Sequence, residues 1–108
     1  DLLPSAHRQA ALYEALGWSA PDFLHVPLVV GPDGRRLAKR HGDTRVASIR
    51  AAGTPPGRVV GWLAATCGWA ERGEELMPGD LLGRFDLARM PRGPVVVTEA
   101  DRAVLGVA

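Results

Sequence analysis

One segment constrains this chain more than any other. Val59, Trp62, Leu63, Thr66 and Cys67 recur at i, i+3, i+4, i+7 and i+8, the spacing of one face of an α-helix. Thr54 stands ahead of it as a cap, and Pro55 takes the first helical position, where a missing N–H costs nothing. Gly68 closes the run as a residue free to turn left-handed. An apolar face of this kind must be covered, so further elements have to fold against it. The stripe predicts burial of Val59, Leu63 and Cys67, with Trp62 packed at the edge.

The flanking sequence supplies candidates. Ser5 as N-cap, then Leu12, Tyr13 and Leu16 at helical spacing, then Gly17, predict a helix over residues 5–16. Pro21 prevents its continuation. Residues 23–30 are β-branched and apolar between turn residues and read as a buried strand, with an irregularity or edge at Pro27. Gly31-Pro32-Asp33-Gly34 is turn chemistry. Residues 46–52 predict a short helix ending at Gly53, and residues 80–85 another. Thr98 and Asp101 resemble the two ends of a capping box ahead of Ala103, Val104 and Leu105. The expected order is a helix, a strand and a basic loop, followed by helices only.

The 108 residues fit one small domain or the tail of a larger one. An apolar fraction of 46% argues against disorder. No apolar run approaches the roughly 18–20 residues of a membrane span, and the start carries no signal-peptide pattern. The chain opens on Asp1-Leu2-Leu3 without an initiator Met, so it reads as a fragment. Cys67 is the only cysteine, which excludes an internal disulfide and any multi-cysteine zinc site and suits a small buried hydrophobe. His7, His25 and His41 are far apart without metal-ligand spacing, so each reads as structural or solvent-exposed and no metal site is expected. Glu74 and Glu75 lie in a polar stretch and read as solvation. The phosphate-loop pattern and the G-x-G-x-x-G pattern are both absent.

Charge is informative only locally. The net charge is +1, yet Arg35, Arg36, Lys39, Arg40, Arg45 and Arg50 place six of the 13 basic residues in one short window opposed by Asp43 alone. Such a patch suits phosphate contacts or an ordinary solvated loop. Lys39 is the only lysine beside twelve arginines. An ammonium is a compact point charge on a flexible stem, able to follow a phosphate as it moves.

The segment from Arg36 to Gly42, Arg36-Leu37-Ala38-Lys39-Arg40-His41-Gly42, resembles the KMSKS loop of class I aminoacyl-tRNA synthetases in the KLSKRHG form of the glutamyl enzymes. Its surroundings carry the resemblance further. Asp1-Leu2-Leu3 with Ser5-Ala6-His7-Arg8-Gln9 is similar to the family's DLL…STPRQ segment. His25-Val26-Pro27-Leu28-Val29 resembles the strand that leads into the loop. Pro55-Pro56 through Leu63, with Gly68-Trp69, is similar to the helix LPEALLNYLALLGW. The match runs in order over roughly residues 1–70.

The resemblance implies an α/β fold: the C-terminal end of a Rossmann-type catalytic domain over residues 1–44, then a mostly α-helical stem-contact region over 45–108. It implies that Leu28 and Val29 present backbone groups to adenine. Arg36 and Lys39 would occupy the loop's two lysine positions, with Lys39 as the catalytic contact to the ATP phosphates and Arg40 beside it. Ala38 replaces the usual serine and Arg36 the usual first lysine, so one hydroxyl is lost and one charge changes geometry. The implied partners are glutamate, tRNA and ATP, with Mg²⁺ accompanying the nucleotide, and the implied compartment is the cytoplasm. The N-terminal half of the same domain, with the HIGH-type motif, most of the glutamate pocket and any zinc site, would lie upstream of Asp1. The chain alone is then expected to be inactive.

Two branches of the family fit. Glutamyl-tRNA synthetases continue into a helical anticodon-binding domain, whereas glutamyl-queuosine tRNA(Asp) synthetases stop near the stem-contact helices. The chain ends at Ala108, where the short enzymes end. Gly61 stands where the full-length enzymes usually have Asn, and the segment from Val95 to Thr98 lacks their following Phe-Asp pair. These features favour the queuosine branch. A stand-alone tRNA-binding module and a degenerate paralogue are the alternatives from other classes.

Overall fold

The computed structural model describes residues 2–38, 41, 42 and 44–107. Helix α1 spans Leu3–Ala15, strand β1 Val29–Val30, helix α2 Val46–Ala51 and helix α3 Pro56–Thr66. Two 3-10 turns, Pro78–Leu81 and Leu87–Arg89, precede strand β2 at Val95–Val96 and helix α4 at Glu99–Leu105.

Helix α1 begins two residues earlier than Ser5 suggested, with Leu2 as N-cap and no side-chain cap. Pro4 explains the shift, because a proline is favourable in the first turn and needs no hydrogen bond there. Gly17 follows the helix at φ +70°, as its position predicted. No residue of α1 is buried, and Leu12 and Leu16 are 64% and 59% exposed.

The strand expected over residues 23–30 is paired only at Val29–Val30. Pro27 and Pro94 flank the paired stretch, and each fixes φ near −65°, away from strand values. The partner is β2, in parallel, with Val29 opposite Val95 and Val30 opposite Val96. Val95 N–H donates to the Leu28 carbonyl and Val97 N–H to that of Val30, both at 2.9 Å. A chain with helices only after the basic loop is therefore incorrect. Three consecutive β-branched residues, Val95 to Val97, form a returning strand because β1 offers an edge to pair with.

Helix α3 has Pro55 as N-cap and Pro56 at its first position, one residue later than expected. The Thr54 hydroxyl caps nothing in α3; it donates instead to the Leu105 carbonyl of α4 at 2.8 Å. The buried face is also rotated from the predicted stripe. Gly61 and Ala64 are the buried residues of α3, while Leu63 is 47% exposed. Val59 and Cys67 are half-buried. The cause is the segment 74–76, which crosses α3 over its small residues. Leu76 N–H donates to the Gly57 carbonyl at 2.9 Å, and a Cβ at Gly61 would collide with the Glu74 carbonyl oxygen. A bulky stripe attracts attention in a sequence, but only the glycine face admits a backbone this close.

Helix α4 starts with the expected capping box. Asp101 N–H donates to the Thr98 hydroxyl oxygen at 3.2 Å, and Thr98 N–H donates to the Asp101 carboxylate at 2.9 Å. The buried apolar residues among those described are Val30, Ile49, Ala64, Leu76, Val97 and Leu105, and α3 packs on α4.

Candidate functional site

The strand and its following turn organise the basic loop. From Val30 the chain reverses through Gly31 to Gly34, with Gly31 N–H donating to the Arg35 carbonyl at 2.8 Å and Gly34 N–H to that of Gly31 at 2.9 Å. Gly34 takes φ +72°, which a side chain would oppose. Asp33 Oδ1 accepts from the Arg35 backbone at 3.0 Å, an Asx turn that explains an aspartate between Pro32 and Gly34. Arg36 then bridges antiparallel to Val30, and Leu37 N–H donates to the Val29 carbonyl at 3.2 Å.

Of the residues the sequence singled out, Leu28, Val29, Arg36, Leu37 and Ala38 come together along this hairpin. The Leu28 and Val29 carbonyls already accept one bond each, from Val95 and Leu37. Further polar contacts there fall to their second lone pairs or to N–H groups. Arg36 lies on the exposed side of the bridge. Lys39 and Arg40 lie outside the described residues. So does Asp43, the acid within the basic window.

His41, expected to be structural or exposed, is structural. Its side chain is 7% exposed. Nδ1 accepts from Ala38 N–H at 3.1 Å, while His41 N–H donates back to the Ala38 carbonyl at 2.8 Å. Because a backbone amide can only donate, Nδ1 carries no proton and the ring hydrogen sits on Nε2. Nε2 then donates to Asp33 Oδ1 at 2.8 Å. The ring rests on Gly31, where any Cβ would overlap it. This brace was not read from the sequence, although Gly31 before a turn and His41 after the basic run were its visible parts.

A second polar cluster was only half read from the sequence, which offered the Thr98–Asp101 box but neither Trp62 nor Arg72. Asp101 is 3% exposed, the one buried charged residue among those described. It accepts from Trp62 Nε1 at 2.9 Å, Arg72 Nη1 at 3.1 Å and the Thr98 hydroxyl at 2.6 Å. Burial pushes its carboxyl up, but the Thr98 bonds, the Trp62 indole and the Arg72 charge outweigh it and hold the group below its ordinary range. Its role is to join α3 to α4. Glu74 and Glu75 are ion-paired rather than merely solvated, with Arg84 at 2.7 Å and Arg58 at 2.8 Å. The Glu71 N–H first, and the Arg84 guanidinium second, lower the Glu74 pKa. Among the described residues no three His, Cys, Asp or Glu side chains gather as a metal site. No helix among them is long and apolar enough to cross a membrane.

Among the described residues, the hairpin leads from β1 through the turn at 31–34 to the exposed Arg36 and on to Ala38. Residues 1–94, which include it entirely, match the family described as tRNA synthetases class I (E and Q), catalytic domain. The Glutamyl-Q tRNA(Asp) synthetase of Symbiobacterium thermophilum is 52% identical over 105 residues, covering 97% of this chain and 32% of that protein. The protein of that name from Rhodopirellula baltica is 47% identical over 107 residues, covering 92% and 32%. Glutamate–tRNA ligase 1 of Fervidobacterium nodosum is 41% identical over 98 residues, covering 89% and 21%. The chain thus spans a third or less of the length of these curated relatives. A family match over most of the chain, with its hairpin and loop inside the matched stretch, means that the chain belongs to the class I tRNA synthetases (E and Q), in their catalytic domain.

Proposed function

We propose that this chain is part of a glutamyl-queuosine tRNA(Asp) synthetase. The parent enzyme activates glutamate with ATP to glutamyl-adenylate and pyrophosphate, then transfers the glutamyl group to queuosine in the tRNA(Asp) anticodon. The observation that carries this reading is the 52% identity, over 97% of the chain, to a protein of that name. The runner-up is a glutamyl-tRNA synthetase charging tRNA(Glu), favoured by the 41% identity to a glutamate–tRNA ligase.

In this reading residues 1–44 close the nucleotide-binding domain and residues 36–40 are its KMSKS-like loop. Residues 45–108 form the stem-contact region, joined to the first part by the pairing of β1 with β2. Leu28 and Val29 face adenine through their backbone. Arg36 and Arg40 flank the phosphates, and Lys39 holds the charge that builds on the leaving pyrophosphate. Little covalent chemistry falls to these residues; they position and stabilise. ATP carries its own Mg²⁺, and any zinc site belongs to the region upstream of Asp1.

The proposed cover for α1 is the N-terminal half of the catalytic domain. Leu3, Leu12, Leu16, Trp18, Leu24 and Val26 are each about 60% exposed, an apolar area that calls for a partner surface. The compartment proposed is the cytoplasm, where the tRNA substrate resides.

The test is aminoacylation by the complete polypeptide. Glutamate is expected on tRNA(Asp) bearing queuosine and not on tRNA(Glu), with adenylate formed before tRNA is added. Charging of tRNA(Glu) at its 3′ end, or pyrophosphate exchange that needs tRNA, would establish the runner-up instead.

A further inference from the structure

We infer that His41 is a positioning residue for the basic loop: held in one neutral tautomer, it clamps the loop's two ends and thereby sets where Lys39 reaches. The inference rests on the proposed role of Lys39 at the ATP phosphates. Three anchors meet at the imidazole. Ala38 and His41 bond reciprocally, Ala38 N–H to Nδ1 and His41 N–H to the Ala38 carbonyl, so Lys39 and Arg40 lie in sequence between two fixed points. Nε2 ties that closure to Asp33 in the turn that follows β1. The ring face lies on Gly31, which leaves no room for a side chain and so fixes the imidazole against the strand's end.

Stability is not the chief thing this loop gains from such a clamp. What it gains is definition. The two described ends, Ala38 and His41, are referenced to the strand whose backbone is proposed to hold adenine, so the proposed contacts to base and phosphates start from one frame. Preorganised charge is effective only when placed to within a fraction of an ångström. His41 is not a catalytic residue in this account, since it acts through Lys39.

The experiment is rapid-quench measurement of glutamyl-adenylate formation by the complete polypeptide, with thermal melting of each variant alongside. His41→Ala is expected to slow the step about 10-fold or more, the scale on which misplacement of a reacting group acts. In a Lys39→Ala background the same substitution is expected to change the rate less than twofold, because nothing remains to be positioned. His41→Asn, whose side-chain oxygen can take the Nδ1 place and accept from Ala38 N–H, is expected to recover much of the rate. If His41→Ala does not fold, Asp33→Ala, which removes the Nε2 partner, carries the test through the same Lys39-dependence. An equal loss in both backgrounds, or a rate within threefold of the parent for His41→Ala, overturns the clamp while leaving Lys39's role standing. Lys39→Ala within threefold of the parent overturns the phosphate role itself, and the clamp with it.

Discussion

Gly61 should tolerate no side chain, and the reason can be worked from the contact it makes. In isolation, replacing a mid-helix glycine with alanine favours the helix by about 1 kcal/mol. Here the new methyl would collide with the Glu74 carbonyl oxygen, a backbone atom that cannot rotate away. Segment 74–76 would have to withdraw from α3, straining the Leu76 N–H bond to the Gly57 carbonyl and partly uncovering Leu76, which is 7% exposed. Overpacking of this kind costs about 1–3 kcal/mol, and a weakened backbone bond about 1 kcal/mol more. Gly61→Ala is therefore expected to be destabilising by roughly 1–3 kcal/mol after the helix gain. Gly57, one turn earlier, is the control: a Cβ there meets the Leu76 carbonyl oxygen at 3.4 Å, an ordinary contact. Gly57→Ala should be neutral or stabilising by up to about 1 kcal/mol. Thermal melting of the two variants of the complete polypeptide, with hydrogen exchange at the Leu76 amide, separates them. Gly61→Ala melting at or above Gly57→Ala would refute the account of how segment 74–76 crosses the helix.

Asp101→Ala strands the Trp62 indole and the Thr98 N–H and removes the partner of the exposed Arg72, and denaturation should show a loss of about 1–3 kcal/mol. Because the folded Asp101 carboxyl titrates below its ordinary range, its contribution is complete above the unfolded value of about 3.9 and is lost as pH falls through the folded one. Parent and Asp101→Asn melting curves should therefore converge on acidification, and a gap that widened would reverse the sign. Leu63→Ala, at a half-exposed site, should cost about 1 kcal/mol, below the 2–5 kcal/mol of a fully buried leucine; a larger loss in the complete polypeptide would show that a partner surface covers it. On the role proposed for Lys39, Lys39→Ala in the complete polypeptide should lower the adenylation rate by about 10²–10³ with ATP affinity nearly unchanged, since such a contact would strengthen as charge develops on pyrophosphate, and Lys39→Arg should recover only part.

What the sequence made legible was whatever depends on local chemistry. Gly17, Gly53 and Gly68 all take the positive φ that their helix-ending positions implied. The Thr98–Asp101 box forms as read, and the turn after β1 is built from the residues that suggested it. What failed depends on tertiary approach. The buried side of α3 is chosen by two glycines, because a crossing backbone needs a gap and not an apolar side chain. Strand β2 was passed over because three residues between Pro94 and Thr98 gain strand form only from a partner 66 residues earlier. His41 had the same difficulty, since its meaning lies in bonds to Asp33 and Ala38 and not in its neighbours along the chain. The resemblance of residues 36–42 to a synthetase loop could be stated because their types and spacing stand together in sequence.

The returning segment also bears on how the site is held. Val95 and Val97 bond to the strand from which the hairpin and loop depart. One residue on, Thr98 and Asp101 start α4, and Asp101 reaches Trp62 in the middle of α3. At the other end of α4 the Leu105 carbonyl accepts the Thr54 hydroxyl just ahead of α3. Residues 95–105 therefore act as a clasp with two backbone bonds along residues 28–30 and two side-chain bonds on the α3 region. A two-stranded sheet is marginal by itself, so β1 owes its order to this clasp as much as to its own sequence. Val30 and Val97, at 2% and 1% exposure, are the innermost side chains at that junction. Damage to the α4 cap should consequently be felt at the root of the basic loop, although no atom of α4 belongs to the loop.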